Sequence, residues 1–247
     1  MSEKKTVVYT CITGFYDQLK SPQVTESNVD YICFTDNQDF HADGWQVRRL
    51  PFLHLNNIDA NRHVKMMPHI YLSEYDVSVY IDGNIEIVSP LDGLIESTLS
   101  NSLIALYEHP FRDCIYEEAM ECLLIGYDWP WKIFSQLKRY KLSKYKQSNG
   151  LFECGVIFRR HHALEVINLM ECWWKEYRHG VKRDQISLPF LAWKMGVTIK
   201  NIGKSDFRYE RNYFSLNAHR NNRRKIPQRA RGLFNRVTLP LTHKLFS

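Results

Sequence analysis

Short apolar runs rich in β-branched residues alternate along this chain with longer segments in which apolar residues recur every three or four positions. The short runs are typical of strands buried on both faces, and the longer spacing is typical of amphipathic helices. Strands are predicted at 6–13, 30–36, 45–50, 77–88, 103–107, 150–158 and 197–199. Helices are predicted at 61–75, where Pro68 must start, kink or divide the helix, at 90–99, within 113–147, at 163–177, and at 183–195 with an interruption at Pro189. The residues after 199 are otherwise predicted to be irregular.

Strands that alternate with helices favour an α/β fold, in which helices cover the faces of a central sheet. The chain has no internal repeat and no low-complexity linker. We therefore expect a single domain over residues 1–219, followed by a tail over residues 220–247.

The run at 77–88 contains three residues that disfavour a buried strand, Asp82, Gly83 and Asn84. A carboxylate is costly to bury without a partner, and glycine weakens a strand interior. We expect the strand to end there, at a functional site. In an extended chain Asp82, Asn84 and Glu86 would point to one side, and oxygen ligands of this kind suit a hard divalent cation. The alternative is an ordinary turn, because Asp-Gly-Asn is common turn chemistry.

The loop after the first predicted strand is a second candidate, since ligands of open α/β sheets bind beyond the carboxyl ends of the strands. Gly14 would let the backbone approach a ligand closely, Thr10 could hydrogen-bond to a nucleotide base, and Tyr16 could stack on it. The alternative is a β-turn with a packed aromatic. The loop has neither the G-x-G-x-x-G pattern nor a P-loop, so dinucleotide-binding and kinase-like functions lose their usual support.

Charged residues supply further candidates. Arg62, Lys65 and His69 would share one helix face that suits a diphosphate, although a solvated helix face has the same pattern. Glu153 and Asp184 are expected at sheet ends, where carboxylates serve acid/base or hydroxyl-binding roles, although Asp184 could equally be a helix N-cap. His219 could add a metal or phosphate contact, or be structural.

The charge of the chain is unevenly distributed. The net charge is +6, yet residues 220–247 hold eight Lys or Arg and no acidic residue, which leaves 25 basic and 27 acidic residues, a net −2, in the body. A basic tail with interspersed apolar residues suits an anionic membrane surface, and a solvated end is the alternative. Nucleic acid is disfavoured as a partner, because the body is acidic and carries no nucleic-acid motif.

The cysteines and the N-terminal residues indicate in which cellular compartment the protein is found. Six scattered cysteines without a C-x-x-C pair indicate reduced core thiols, not disulfides or zinc ligands. Neither an apolar leader nor an apolar run of about 18 residues is present. We therefore expect a cytoplasmic protein, with peripheral contact at the inner face of the membrane through the tail.

Several motifs in a fixed order resemble one family. These are Tyr9 to Asp17, Asp30 to Asp36, Tyr80 to Asn84, Arg112 to Glu118, Glu153 to Val156 and Arg183 to Gln185. Together, over roughly residues 5–220, they resemble a GT-A glycosyltransferase of the glycosyltransferase-like family found in bacterial polysaccharide loci and plant cell-wall proteins, long described as a domain of unknown function. The resemblance implies a GT-A-like single domain with a mixed, mainly parallel central sheet.

The resemblance also implies a nucleotide-sugar donor, usually a UDP-sugar, and a divalent cation, usually Mn²⁺ or Mg²⁺. By this similarity the donor-binding residues are Thr10, Thr13, Gly14, Tyr16, Arg62, Lys65, Asp82 and Gly83. The metal ligands would be Asp82 and Asn84 in the D-x-D position, together with the late His219. The catalytic residues would be Asp184, Gln185 and Glu153, and the acceptor-side residues Arg112, Asp113 and Glu117.

One residue departs from the family pattern. Asn84 stands where the motif has a second Asp, so the metal should bind more weakly unless Glu86 compensates or the donor completes the site. An inverting enzyme would need Asp184 or Glu153 as base for the acceptor hydroxyl, whereas a retaining enzyme would not. Trp129, Trp131 and Tyr107 could form an apolar platform for sugar rings, with core packing as the alternative.

The function these observations favour is transfer of a sugar from a nucleotide-sugar to a hydroxyl of a glycan or lipid-linked saccharide, in the synthesis of a cell-surface polysaccharide such as lipopolysaccharide or capsule. Two alternatives stay open: a non-catalytic nucleotide-sugar or glycan-binding protein, and a metal-dependent hydrolase on the same fold.

Overall fold

The computed structural model describes residues 5–14, 16–51, 54–219 and 226–246, and in the last helix it describes the side chains of residues 227–239. The strands are β1 Thr6–Ile12, β2 Val29–Thr35, β3 Gln46–Arg49, β4 Val77–Ile81, β5 Ile85–Ile87, β6 Ile104–Glu108, β7 Phe152–Arg159, β8 Lys200–Asn201 and β9 Phe214–Leu216. The helices are α1 Asn57–Met66, α2 Pro68–Tyr71, α3 Asp92–Leu99, α4 Ile115–Leu124, α5 Pro130–Leu142, α6 Leu164–His179, α7 Asp184–Met195 and α8 Ile226–Phe246.

Seven strands form the central sheet in the order β3-β2-β1-β4-β7-β6-β8, and β5 pairs with β9 in a separate two-stranded sheet. The pairs β1–β2, β2–β3, β1–β4 and β6–β8 are parallel, whereas β7 runs antiparallel to both β4 and β6. The predicted α/β fold with a mixed, mainly parallel sheet is confirmed. Because β7 is reversed, its amino end lies at the same edge as the carboxyl ends of β1, β4 and β6.

The two faces of the sheet contribute to separate apolar clusters, as the alternation of side chains along a strand requires. In β1, Tyr9 and Cys11 pack into one cluster with helices α4 to α7, and Val8 and Ile12 pack into the other with α3. All six cysteines are free thiols, and five of them are buried, as the sequence predicted.

Several predicted elements need correction. The helix expected at 61–75 begins earlier, at Asn57, because the side chain of Asn56 caps it by accepting a hydrogen bond from the Asp59 amide at 2.9 Å. This helix ends at Met66 and Pro68 starts α2, so the predicted division at Pro68 is confirmed. Pro189 does not interrupt α7: a proline removes one helical hydrogen bond, and the burial of residues 184–192 holds the helix together. The strand expected at 197–199 lies at Lys200–Asn201, and the region after residue 201 contains β9 and α8.

The run at 77–88 is two strands, not one. β4 ends at Ile81, and the chain turns at Asp82–Asn84, where the amide of Ile85 donates to the carbonyl of Asp82 at 2.9 Å. The predicted strand end at Asp82 is therefore correct. The prediction that Asp82, Asn84 and Glu86 share one strand face is wrong, because the turn redirects the chain into β5.

Helix α8 packs on α4 and α5 through small and polar residues. Asn235 is fully buried and donates to the carbonyls of Leu123 at 2.8 Å and Asp128 at 3.0 Å. Gly126, with φ at 73°, lies directly against the backbone of Gly232. Part of the predicted tail, 220–225, lies outside the described residues. Within the described part of the chain, no helix is both long enough and apolar enough to cross a membrane.

Two glycine substitutions, one at the contact with α8 and one in open space, are expected to change stability in opposite directions. In Gly126→Ala the new Cβ would overlap backbone atoms of α8, and a left-handed φ also disfavours alanine, so we expect unfolding to become easier by about 1–3 kcal/mol. In Gly93→Ala, within α3, the Cβ would meet open space, and we expect a gain of about 0.5–1 kcal/mol. Denaturant titration of both variants checks this; equal effects would contradict the close α8 contact.

Candidate active site

A cavity of about 500 Å³ lies at the sheet edge where β1, β4 and β6 end and β7 begins. Predicted site residues that line it are Arg62, Lys65, Asp82, Asn84, Arg112, Glu153, Asp184, Gln185 and His219. A second cleft, of about 580 Å³ between α5 and α6, contains none of the predicted site residues. The first cavity is therefore the candidate site.

A buried lysine joins the two carboxylates at one end of the cavity. Lys65 is 1% exposed, and its Nζ lies 2.8 Å from Oδ2 of Asp184 and 3.4 Å from Oδ1 of Asp82. Nε of Arg62 lies 3.6 Å from the same oxygen of Asp184, and the Tyr80 hydroxyl donates to Oδ1 of Asp82 at 3.0 Å. Helix α1 thus places the positively charged side chains of Arg62 and Lys65 at the carboxyl end of β4 and the amino end of α7.

The charge state of Asp184 follows from this network. Burial raises the pKa of a carboxyl, but the adjacent Lys65 ammonium, with Arg62 and Arg183, holds the pKa of Asp184 well below its usual range. Burial opposes the charge of Arg62, yet Asp184 and Asp82 hold its pKa well above the usual value. Asp184 is therefore ionised, and a carboxylate of such low basicity is a weak proton acceptor.

The position of Lys65 is fixed from behind. Arg159, which is fully buried, donates to the Lys65 carbonyl at 2.9 Å and also to the hydroxyl of Tyr9. That hydroxyl donates to the same carbonyl at 3.0 Å. The Lys65 ammonium also lies 5.0 Å from the centre of the Tyr80 ring, a cation–π contact. These contacts hold the ammonium between the two carboxylates.

Three free ligand atoms belong to the predicted metal residues. The side-chain amide of Asn84 donates to the Asn217 carbonyl at 2.9 Å, which leaves its oxygen available. Asp17 lies 3.0 Å from Nδ1 of His219, an arrangement that orients an imidazole so that Nε2 can bind a metal. Among the described residues, Asp82 Oδ2, Asn84 Oδ1 and His219 Nε2 have no hydrogen-bond partner.

One carboxylate oxygen, one amide oxygen and one imidazole nitrogen form a donor set that suits a divalent cation. The described residues contain no cluster of three or more His, Cys, Asp or Glu that could hold a metal, so a cation site here would need the amide oxygen of Asn84 as its third ligand. Glu86 does not compensate for Asn84. Its carboxylate lies outside the cavity and accepts from Gln23 at 2.9 Å and from Asn217 at 3.2 Å.

The cavity is also lined by an arginine pair, Arg112 and Arg183, that is held on a second buried carboxylate. Glu118, 2% exposed at its side chain, accepts from Arg112 and from Arg183, each at 2.8 Å, and His109 Nε2 lies 3.7 Å from it. Two guanidinium groups on one carboxylate leave an excess of positive charge. Glu153, also buried, is held by Ser205 and by Nε of Arg208 at 2.7 Å.

The predicted nucleotide residues lie beside the cavity. Thr10 has no exposed surface, so it cannot reach a base here; it shares the buried face of β1 with Val8 and Ile12. Thr13 is nearly buried and donates to the Asn57 carbonyl at 2.7 Å. The prediction that these two threonines line a nucleotide pocket is therefore not supported by their positions.

Tyr16 and the two glycines are placed differently. The amide of Gly14 donates to both oxygens of Asp36 at 3.1 Å. Gly83 packs on Ile12 and does not line the cavity. Tyr16 is 49% exposed, and its ring centre lies 5.3 Å from that of His219. Of the predicted base-binding residues, Tyr16 alone combines exposure with contact to the cavity wall.

Other predicted residues lie away from the cavity. Asp113 and Glu117 are exposed and do not line it; the buried acid of α4 is Glu118 instead. His69 belongs to α2, since the helix that carries Arg62 and Lys65 ends at Met66. The prediction that Trp129, Trp131 and Tyr107 form a platform for sugar rings is also wrong. Tyr107 is buried, and the two tryptophans pack beside α8, away from the cavity.

Sequence reasoning assigned no role to several lining residues, among them His109, Phe207, Arg208 and Asn217, and it quoted Arg183 in a motif without giving it a role. It also missed Glu118, for which a signal existed. Within α4 the buried residues Ile115, Glu118, Ala119 and Cys122 follow helical spacing, so the acid on the apolar face was identifiable.

A model of the TOD1/MUCI70 glycosyltransferase-like domain matches residues 1–219. The chain belongs to this family. The predicted glycosyltransferase-like family is therefore confirmed, and with it the prediction that the protein is a glycosyltransferase. A search of curated protein sequences found no match.

Two solved structures are similar to this TOD1/MUCI70-family chain. The apo form of mouse xyloside xylosyltransferase 1 is 9% identical, with a TM-score of 0.46 over 81% of this chain and 84% of that chain. The apo structure of WbbM, described as a bifunctional glycosyltransferase, is 12% identical, with a TM-score of 0.49 over 95% of this chain and 45% of that chain. The chain thus spans less than half the length of WbbM.

Proposed function

We propose that the cavity binds a nucleoside-diphosphate sugar, with UDP as the nucleotide, and that the enzyme transfers the sugar to a hydroxyl of a glycan. The observation that carries this proposal is the convergence of Asp82, Asn84 and His219 with Arg62 and Lys65 on one cavity. Such a group offers oxygen and nitrogen ligands for a cation beside fixed positive charges, which is what a diphosphate leaving group requires.

Asp82, Asn84 and His219 would hold Mn²⁺ or Mg²⁺. When bound, the cation would neutralise charge that develops on the leaving diphosphate. Arg62 and Lys65 would stabilise the same charge from the α1 side, because both side chains line the cavity and are held in place by Asp184. Tyr16 would stack on the base next to His219, since its ring is half exposed there.

Gln185 is placed to recognise the sugar. Its side chain lines the cavity and is 7% exposed, and its amide oxygen Oε1 is buried without a hydrogen-bond partner among the described residues. A buried acceptor without a partner is costly, and a sugar hydroxyl would satisfy it. We therefore assign Gln185 to a donor-sugar hydroxyl.

The acids have separate roles in this proposal. Asp184 positions Lys65 and Arg62, because its low basicity suits an ion-pair partner better than a general base. Glu153, fixed by Arg208, faces the cavity from β7 and would bind or deprotonate the acceptor hydroxyl. The arginine pair on Glu118 would bind the acceptor side through Arg112.

The acceptor proposed is a glycan or lipid-linked saccharide of a cell-surface polysaccharide such as lipopolysaccharide or capsule. The basic C-terminal region supports this proposal, because it would hold the enzyme near an anionic membrane that carries such an acceptor.

A screen of UDP-sugars with Mn²⁺ tests the proposal. Binding of a UDP-sugar, with UDP release that depends on an added glycan acceptor, is the expected result. UDP release to water without an acceptor would assign the metal-dependent hydrolase instead. Binding without turnover under any acceptor would assign the non-catalytic binding protein.

A further inference from the structure

An exposed apolar surface extends from the start of α5 onto the outer side of α8. Trp129 and Trp131 stack with ring centres 4.9 Å apart, and Phe234 packs edge-on against Trp129 at 5.6 Å. Leu233 is 65% exposed and Val237 79% exposed, and these two residues lie one helical turn apart on the same face. We call these five residues the aromatic face.

The aromatic face lies opposite the packed side of the same helix. Gly232 and Asn235 are buried against α4 and the loop that follows it, so α8 is anchored by one side while Leu233 and Val237 point away. A surface helix normally has a polar outer side. Here the outer side is apolar, and contiguous exposed apolar residues mark an interaction surface.

Positive charge borders the aromatic face. Arg229 lies one turn before Leu233, Arg236 lies one turn after it, and both arginines are exposed. Arg231 covers the ring of Trp129 at 5.2 Å. From residue 220 to 247 the sequence has eight Lys or Arg and no Asp or Glu. Aromatic and aliphatic side chains mixed with arginine suit the headgroup region of an anionic bilayer.

We propose that the aromatic face docks the enzyme onto an anionic lipid bilayer, with Trp131, Leu233 and Val237 in the headgroup and acyl boundary and the arginines on lipid phosphates. A protein partner of neutral or basic surface would not match this charge. The inference depends on the surface of α5 and α8, and not on the identity of the donor or acceptor.

Sedimentation with vesicles tests the docking. Wild-type protein is expected to bind vesicles that contain phosphatidylglycerol and to bind phosphatidylcholine vesicles weakly. Raising NaCl from about 0.1 M to about 0.5 M should weaken the binding severalfold, because the charges are exposed. Arg229→Glu should weaken binding to the anionic vesicles and leave the weak binding to phosphatidylcholine unchanged.

A pair of double variants separates docking from a general loss of surface apolarity. Leu233→Ser/Val237→Ser is expected to lower the partition coefficient on anionic vesicles by roughly tenfold or more. Leu142→Ser/Leu164→Ser alters residues of similar exposure, 74% and 68%, outside the aromatic face, and should change it by less than about twofold. Thermal melting confirms that both variants fold, and turnover of a soluble acceptor should be unchanged in both.

Three outcomes would overturn the proposal. Wild-type protein that ignores anionic vesicles would exclude docking. An equal loss in both double variants would exclude the aromatic face as the cause. Self-association of the wild type that Leu233→Ser/Val237→Ser abolishes, without vesicle binding, would assign the face to a second copy of the chain. A failed vesicle test would leave the donor screen unaffected, so the two proposals fail separately.

Discussion

Asp184→Asn is expected to lower the free energy of unfolding by about 3–5 kcal/mol, because it leaves the buried Lys65 ammonium without its 2.8 Å partner. Asp82, at 3.4 Å and partly exposed, compensates only in part. Equilibrium denaturation with urea measures the change. Asp113→Asn is the matched control, since Asp113 is exposed and outside the cavity, and it should change stability by less than about 0.5 kcal/mol.

The double variant Lys65→Met/Asp184→Asn identifies the cause of that loss. Removing both charges abolishes the unpaired buried ion, so the double variant should be more stable than Asp184→Asn alone, with a coupling of about 1–3 kcal/mol. Additive losses from the two single variants would show that the ion pair is not the source of the instability.

The pH dependence of this contribution has a definite sign. The pKa of Asp184 is lower in the folded state than in the unfolded state, where it is about 3.9. The ion pair between Lys65 and Asp184 therefore stabilises the fold fully above the unfolded-state pKa, and this stabilisation is lost only as the pH falls towards the folded-state pKa. The stability difference between wild type and Asp184→Asn should therefore be flat from neutral pH down to about pH 5 and shrink in stronger acid. A difference that changes between pH 7 and pH 5 would contradict the assignment.

Asp82→Ala is expected to lower the turnover of the UDP-sugar identified by the screen by roughly 10²–10³-fold and to abolish its response to Mn²⁺. The physical reason is that Asp82 provides the only negatively charged group of the proposed metal ligands, since the other two ligand atoms belong to Asn84 and His219. Steady-state kinetics over a range of Mn²⁺ concentrations measures both effects.

Glu86→Gln is the matched control for that variant, because Glu86 follows the same turn yet does not line the cavity, and its carboxylate accepts hydrogen bonds from Gln23 and Asn217. It should keep turnover within a few-fold of the wild type. If Asp82→Ala kept full activity and metal response, the assignment of Asp82 would be wrong. If Glu86→Gln matched the loss in Asp82→Ala, the ligand set would be wrong instead.

The sequence predicted the α/β architecture and the end of β4 at Asp82 because both depend on local patterns. Period-two and period-3.6 spacing is visible in one stretch of chain, and a carboxylate next to glycine in an apolar run signals a strand end. β9 could not be predicted, since three residues with no alternation form a strand only when β5 is beside them. The packing of α8 depends on Gly126, more than one hundred residues earlier.

The candidate site was predicted best where its residues lie at strand ends. Asp82 after β4 and Glu153 at the start of β7 reach the cavity as expected, because the strand order brings those ends to one edge. Asp184 reaches the same cavity from the first residue of α7. The partners of the charges were not predictable, since Lys65 meets Asp184 across 119 positions of sequence. The burial of Thr10 was predictable, because Thr10 lies between Val8 and Ile12 on one face of an apolar strand.

Isothermal titration of the wild-type protein and of His219→Ala with UDP, each with and without Mn²⁺, measures whether the cavity binds the nucleotide together with a cation held by His219. We expect Mn²⁺ to tighten UDP binding to the wild type by about tenfold or more, and His219→Ala, which lacks one of the three free ligand atoms, to lose most of this gain. Absence of UDP binding to the wild type under both conditions, or an undiminished Mn²⁺ effect in His219→Ala, would contradict this expectation.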